Sequence, residues 1–317
     1  MNLLVTGGCG FIGSNFVKMV LDRHRDSVSK VVNVDALTYA GSLQNTKDFQ
    51  DDEKYVFEEV DLRNASDLLE VFERHSITHV VHLAAESHVD KSIDDPSSFV
   101  TSNVVGTHNL LKISRRQKVQ RFHHVSTDEV YGELGDTGKF NEESPYNPKN
   151  PYSASKASSD FIARSYYHTY GFPVTISNCS NNYGPHQNDE KFIPTVIRSV
   201  LQGKKIPLYG AGLNVRDWIY VEDHCDGIWK VFTEGKLGET YCMGADCEKK
   251  NIEMIQVLCH HLQVVPEECI EHVTDRLGHD FRYAIDNTKI QNELGWTPRT
   301  SFEEGIASTV RWYNERY

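Results

Sequence analysis

Leu3-Leu4-Val5 is a short apolar run that ends at Thr6-Gly7-Gly8-Cys9-Gly10-Phe11-Ile12-Gly13. Beyond it Phe11, Ile12, Phe16, Val17, Val20 and Leu21 recur at three-to-four spacing, the pattern of a helix with one buried stripe. Lys30-Val31-Val32-Asn33-Val34-Asp35 is apolar again and closes on an acid, completing a strand–helix–strand unit. The alternation continues. Tyr55-Val56-Phe57 with Val60 reads as a strand closing at Asp61-Leu62, and Ala65 to His75 reads as a helix with Ser66 near its start. Thr78 to Ala85 reads as a buried strand and is followed by the polar loop Glu86–Asp90. A long helix is expected from about Ser98, carrying Val100, Val104, Leu110 and Leu111. Arg121–Ser126 is a strand that runs into Thr127-Asp128-Glu129.

Strands alternating with helices predict an α/β fold with a doubly wound parallel sheet of Rossmann type. In such sheets ligands lie beyond the carboxyl ends of the strands, and every polar cluster named above follows a strand end. Glu133–Asn150 is rich in Gly, Asn, Glu and Pro and reads as a loop into a helix that holds Tyr152 and Lys156. Val174–Ser177 is a further strand. After Asn178 the alternation weakens, with a helix around Phe192–Gln202, and a smaller mixed α/β lobe is expected. Asp217–Asp223 leads into a helix over His224–Phe232 that packs back on the first domain. The expected division is a dinucleotide-binding domain of 1–177 plus about 214–236, and a nucleotide-sugar lobe of 178–213 plus about 237–317.

The 317 residues, 39% hydrophobic and 25% charged, suffice for a sizeable core. A net charge of −12 argues against nucleic acid or an anionic membrane as partner. The start lacks the basic and apolar regions of a signal peptide, and no stretch resembles a membrane span. The seven cysteines are odd in number, scattered and without Cys-x-x-Cys, as expected of reduced thiols in a cytoplasmic protein. The fifteen histidines show no zinc-like spacing, so no metal is expected.

The chemistry begins at Gly7-x-x-Gly10-x-x-Gly13. Glycines there let the backbone turn tightly and approach a pyrophosphate at the helix N-terminus. Asp35, twenty-two residues after Gly13, can accept hydrogen bonds from an adenosine ribose and would repel a 2′-phosphate, which favours NAD over NADP. Tyr152 and Lys156 are four apart and share a helix face. An ammonium beside a phenol favours the phenolate, so a lowered tyrosine pKa is expected.

Thr6-Gly7-Gly8-x-Gly10-Phe11-Ile12-Gly13 with Tyr152-x-x-x-Lys156 resembles the extended short-chain dehydrogenase/reductase superfamily. Within it the chain is similar over essentially its whole length to the dTDP-glucose 4,6-dehydratases. The motifs that carry the resemblance are Asp35–Gly41, Ala84–Asp90, Ser126–Gly132, Tyr152–Lys156, Ser180–Pro185 and Asn214–His224, with Gly278-His279-Asp280 and Arg282–Asp286 near the end. The resemblance implies NAD held by Gly7, Gly10, Phe11, Ile12, Gly13, Asp35, Ala36, Leu37, Thr38, Asp61, Leu62, Leu83, Ala84, Ala85, Ser87, Ser102, Tyr152, Lys156 and Asn182. It implies a nucleotide sugar, dTDP-glucose or UDP-glucose, held by Ser87, His88, Thr127, Asn181, Lys191, Phe192, Pro207, Tyr209, Arg216, Asn251, Arg276 and His279, with Arg216 the firmest diphosphate cation. It implies Tyr152 as base on the 4-hydroxyl, Thr127 near O4, Glu129 as base at C5, Asp128 as acid at the 6-hydroxyl, and a homodimer through helices of the first domain. Two adjacent carboxyls suit this work, because repulsion and burial raise one pKa and leave the other group ionised.

The chain departs from the family pattern at Cys9, Ser102, Gln187-Asn188-Asp189, Phe192 and Leu277. The changes at 187–192 and 277 border the nucleotide and leave thymidine and uridine both open. A nucleotide-sugar 4-epimerase would share the NAD turn and Thr127, Tyr152 and Lys156, but has no use for Asp128-Glu129. A non-catalytic NAD-binding protein on this fold would be free to lose the three residues that are intact here.

Overall fold

The computed structural model describes residues 1–275 and 280–317. In chain order, β1 (Asn2–Thr6), α1 (Phe11–Arg23), β2 (Lys30–Asp35), β3 (Tyr55–Glu59), α2 (Ala65–His75) and β4 (His79–His82) build the first half of the main sheet. They are followed by α3 (Val89–Asp94), α4 (Pro96–Phe99), α5 (Thr107–Arg116), β5 (Arg121–Thr127), α6 (Pro151–Tyr170) and β6 (Val174–Cys179). The remainder is β7 (Asn181–Tyr183), α7 (Phe192–Leu201), β8 (Ile206–Tyr209), β9 (Val215–Tyr220), α8 (Val221–Glu234), β10 (Thr240–Met243) and β11 (Glu248–Lys250). The chain ends with α9 (Asn251–His261), α10 (Pro266–Cys269), β12 (Ile270–Val273), α11 (Thr288–Leu294) and α12 (Phe302–Arg316).

Seven strands form one parallel sheet in the order β10-β6-β5-β4-β1-β2-β3. The order reverses beside β1, so the loops after β1 and β4 part there and open a crevice. Side chains alternate across the sheet with the period-two rule. Leu3, Val5, Val31 and Val81 pack with Phe16, Val17 and Val20 of α1 and Ile228 and Phe232 of α8. Leu4, Val32, Val34 and Val80 pack on the other face with Leu68 and Phe72 of α2 and Leu110 and Leu111 of α5. Both faces are therefore covered, and the strands read as continuous apolar runs.

A smaller lobe holds the three-stranded sheet β11-β9-β7 and the pair β12-β8, with α7, α9 and α12 around a separate core that includes Ile193, Trp218, Met254, Leu258 and Tyr313. Two strands fall on the other side of the expected division. Thr240–Met243, expected in the lobe, pairs with β6 and closes the edge of the main sheet. Val215–Tyr220, expected with the dinucleotide domain, pairs with β7 and β11 instead. Tyr241, Cys242 and Met243 of β10 are wholly buried, and this short strand has no room for an alternation that would mark it.

Local boundaries also differ. Asp217–Tyr220 is strand, and α8 begins directly after it at Val221. The start of α2 is capped by Asn64, whose side chain accepts from the Asp67 N–H, rather than by Ser66. The long helix expected from Ser98 is broken into α4, a π-helical segment Val100–Gly106 and α5.

Candidate active site

The turn after β1 is shaped by its glycines. Gly7 has φ +75°, and a Cβ there would stand 2.8 Å from the Ala84 backbone at the end of β4. At Gly13 a Cβ would meet the Gly7 carbonyl oxygen at 2.0 Å, so the first turn of α1 lies tight on the loop. No side chain caps α1, and its leading N–H groups remain available to an anion. Asp35 is held as an acceptor, with the Cys9 N–H on Oδ2 and the Leu37 N–H on Oδ1, each at 2.9 Å. Burial raises its pKa, and the two N–H bonds oppose that rise. Turn, uncapped helix and fixed carboxylate fit a dinucleotide.

Two cavities meet over the carboxyl ends of the strands. The first, of about 320 Å³, runs from Gly7, Asp35 and Asp61 past Ala84 and Ser102 to Thr127, Tyr152 and Lys156. The second, of about 260 Å³, lies against the lobe between His88, Phe192, Pro207, Tyr209, Arg216 and Asn251. Ser87, Glu129, Asn181, Asn182, Gln187 and Lys191 line both; of the catalytic candidates Glu129 stands where the two spaces join, and Thr127, Asp128, Tyr152 and Lys156 line the first.

Thr127 ends β5, and a 3₁₀ turn over Asp128–Tyr131 follows it. The Thr127 hydroxyl accepts from the Glu129 N–H (3.2 Å) and contacts Asp128 Oδ1 (3.3 Å). Asp128 is buried, and among the described residues its Oδ2 has no partner. Burial pushes its pKa well above the usual carboxylate range, and the charges of Glu129 and Asp217 push it further. Glu129 is raised too, by burial, but Arg216, Lys191 and a hydrogen bond from Asn150 draw it back. Burial thus disfavours ionisation of both carboxyls; like charges add to this at Asp128, whereas two cations and the Asn150 hydrogen bond oppose it at Glu129.

Tyr152 and Lys156 lie on α6, whose start is fixed by Asn150 and Ser153 in a reciprocal capping box with Pro151 in the first turn. The expected lowering of the tyrosine pKa is not found. Burial raises it well above its ordinary value, and the nearby Glu129 charge adds to the rise, against a hydrogen bond from Thr127 that lowers it. Lys156 turns one N–H to the Val125 carbonyl (2.9 Å), and its own pKa is lowered by burial. In the chain by itself burial, with the Glu129 charge added to it, keeps the phenol protonated more firmly than an exposed tyrosine.

A family model described as GDP-mannose 4,6 dehydratase matches residues 4–309. The dTDP-glucose 4,6-dehydratase of Shigella flexneri is 49% identical over 337 residues, covering 99% of this chain and 92% of that protein. A crystal structure of a dTDP-glucose 4,6-dehydratase from Streptomyces venezuelae, with NAD and TYD bound, matches at TM-score 0.96 and 46% identity over 99% of this chain and 97% of the other. The chain belongs to the dTDP-glucose 4,6-dehydratase family. A UDP-glucose 4-epimerase from Thermotoga maritima shares the fold at TM-score 0.91 but only 26% identity, over 100% of this chain and 99% of that one. Fold alone therefore does not separate dehydration from epimerisation.

Most of the residues expected from the dehydratase motifs line one cavity or the other. Leu37 lines neither; its φ of +48° makes the turn that brings its N–H onto Asp35. Thr127 faces the first cavity rather than the second. Arg216 lines the second, but its guanidinium already donates to the carbonyls of Val215 (2.8 Å), Asp280 (2.9 Å) and Phe281 (3.3 Å) and lies over the Tyr283 ring. Arg276 and His279 lie outside the described residues. Asn150, Asp280 and Tyr283 line the substrate side and were not singled out from the sequence. For Asn150 the signal was present: Asn-Pro directly before Tyr152 marks a helix start, and therefore a residue beside the catalytic turn.

Proposed function

We propose that the chain converts a nucleoside-diphosphate glucose, dTDP-glucose in the first place, to its 4-keto-6-deoxy sugar. The observation that carries this reading is the adjacent carboxyl pair in the first cavity, Glu129 lining the second as well, with ionisation disfavoured more strongly at Asp128 than at Glu129. When bound, NAD takes up the hydride of C4 and gives it back at C6. Tyr152 accepts the proton of the 4-hydroxyl, and Thr127 holds O4 beside it. A ketone at C4 makes the C5 proton acidic, because the resulting carbanion delocalises into an enolate. Glu129 removes that proton while Asp128 protonates the 6-hydroxyl, which leaves as water. Lys191, which lines both cavities, and the remaining donors of Arg216 meet the diphosphate.

A homodimer and a cytoplasmic location complete the proposal. Val100 and Val105 beside α5, and Phe161 and Tyr170 on α6, are large apolar side chains left exposed on the helices expected to pair. All seven cysteines are free thiols, and among the described residues no helix is long and apolar enough to cross a membrane. The test offers dTDP-glucose and UDP-glucose side by side and follows products by mass spectrometry. Loss of one water from dTDP-glucose at the higher kcat/KM is expected. Preference for UDP-glucose would reassign the base, and isomerisation without loss of mass would make the protein an epimerase.

A further inference from the structure

Asp160 lies one turn beyond Lys156 on α6 and is completely buried, yet no step above uses it. Its Oδ2 accepts from Tyr146 Oη (2.8 Å), Ser126 Oγ (2.9 Å) and Asn178 Nδ2 (3.3 Å), and its Oδ1 from His124 Nε2 (3.0 Å). An ionised carboxyl only accepts, so four converging donors favour the carboxylate over the acid. A buried negative charge needs a positive one close by.

His124 does not supply it. Its Nδ1 has no partner among the described residues, as suits a neutral ring protonated at Nε2, and burial lowers its pKa. Arg164 reaches Asp160 only through the Tyr146 phenol, to which it donates at 2.8 Å. Lys156 is the buried cation at i−4 on the same helix, a spacing that places the two side chains side by side. The other titratable groups around the ammonium are uncharged. His82 on β4 is held neutral by burial, the Cys179 thiol on β6 is pushed up to about 12, and Tyr152 is the phenol that Lys156 serves.

We propose that Asp160 is a positioning residue for the known reaction: it keeps the Lys156 ammonium charged while Tyr152 accepts the sugar proton, through a carboxylate that His124, Ser126, Tyr146 and Asn178 hold ionised. Burial weakens the lysine's hold on its proton, and the Asp160 charge opposes this.

The test is single-turnover reduction of enzyme-bound NAD by dTDP-glucose, followed by absorbance across pH. Asp160→Asn keeps the shape and removes the charge. Its alkaline limb should move to lower pH by roughly one unit or more, with KM within about twofold of the parent. Asp160→Glu restores the charge and should restore the limb, even if it melts as early as the Asn variant. A uniform loss of rate with an unchanged limb in Asp160→Asn would reduce Asp160 to a structural role and overturn the proposal. A second reading follows the lysine itself. The Lys156 ε-carbon resonance of the holoenzyme, assigned by its loss in Lys156→Met, should titrate at lower pH in Asp160→Asn than in the parent and move back in Asp160→Glu. An unchanged titration in Asp160→Asn would show that the Asp160 charge does not act on the ammonium, and would equally overturn the proposal.

Discussion

Asp128 and Glu129 are neighbours in sequence with different surroundings, and the opposite tasks proposed for them rest on that difference. Asp128 has burial and two like charges against its ionisation; Glu129 has Arg216 and Lys191 to offset its burial. Dehydration needs the first protonated and the second ionised. As pH rises the raised Asp128 group is the one that loses its proton and its function; as pH falls Glu129 gains one and stops serving as base. The elimination step should therefore fall on both sides of a window bounded by Glu129 below and Asp128 above, whereas hydride transfer should not follow the Glu129 limb. Glu129→Gln isolates the step: bound NAD should still become reduced on mixing with dTDP-glucose, while product formation drops by about 10²-fold or more. Normal turnover in that variant would remove Glu129 from the mechanism. The pair was legible as a candidate in the residue types and their order after a strand. The raised tyrosine pKa was not, because it comes first from burial, which the packing of distant elements sets, with the Glu129 charge added.

At the scale of elements, α6 carries the chemistry and its first turn fixes where Tyr152 stands. Asn150 Oδ1 accepts the Ser153 N–H at 2.9 Å, and the Asn150 N–H donates in return to Ser153 Oγ at 3.2 Å. Asn150→Ala should cost about 1 kcal/mol. In a chain of this size that lowers Tm by about 2–4 °C in a thermal melt. Because Asn150 also hydrogen-bonds Glu129, kcat should fall while KM changes little. An unaltered melt and kcat would detach the cap from the site. The strands, the glycine turn and the amphipathic helices were readable because each repeats a local period. The π-helical segment Val100–Gly106 was not. The Asn103 carbonyl there accepts hydroxyls from Thr107 (2.5 Å) and from Ser159 of α6 (2.7 Å), and the Asn103 side chain joins the Glu86 backbone to Ser155. That distortion is set by a helix fifty residues away, and no window of sequence contains it.

For the molecule as a whole, the weakening alternation after Asn178 marks where the seven-stranded sheet gives way to the smaller sheets, but the crossings between them were not readable. β10 returns to the main sheet and β9 leaves for the lobe, so the chain crosses between the two more than once. The exposed apolar residues beside α5 and on α6 set a prediction at this scale. Sedimentation equilibrium should give a dimer at micromolar concentration, and Phe161→Asp should shift it towards monomer; a monomer in both would place those side chains elsewhere. The central claim is an internal redox cycle in which oxidation at C4 serves only to make the C5 proton removable. Its most direct measurement uses dTDP-glucose carrying deuterium at C4, with the product examined by NMR and mass spectrometry. The account predicts that the label appears at C6 of the 4-keto-6-deoxy sugar, in a product lighter by one water. Deuterium retained at C4 or lost to solvent would contradict it.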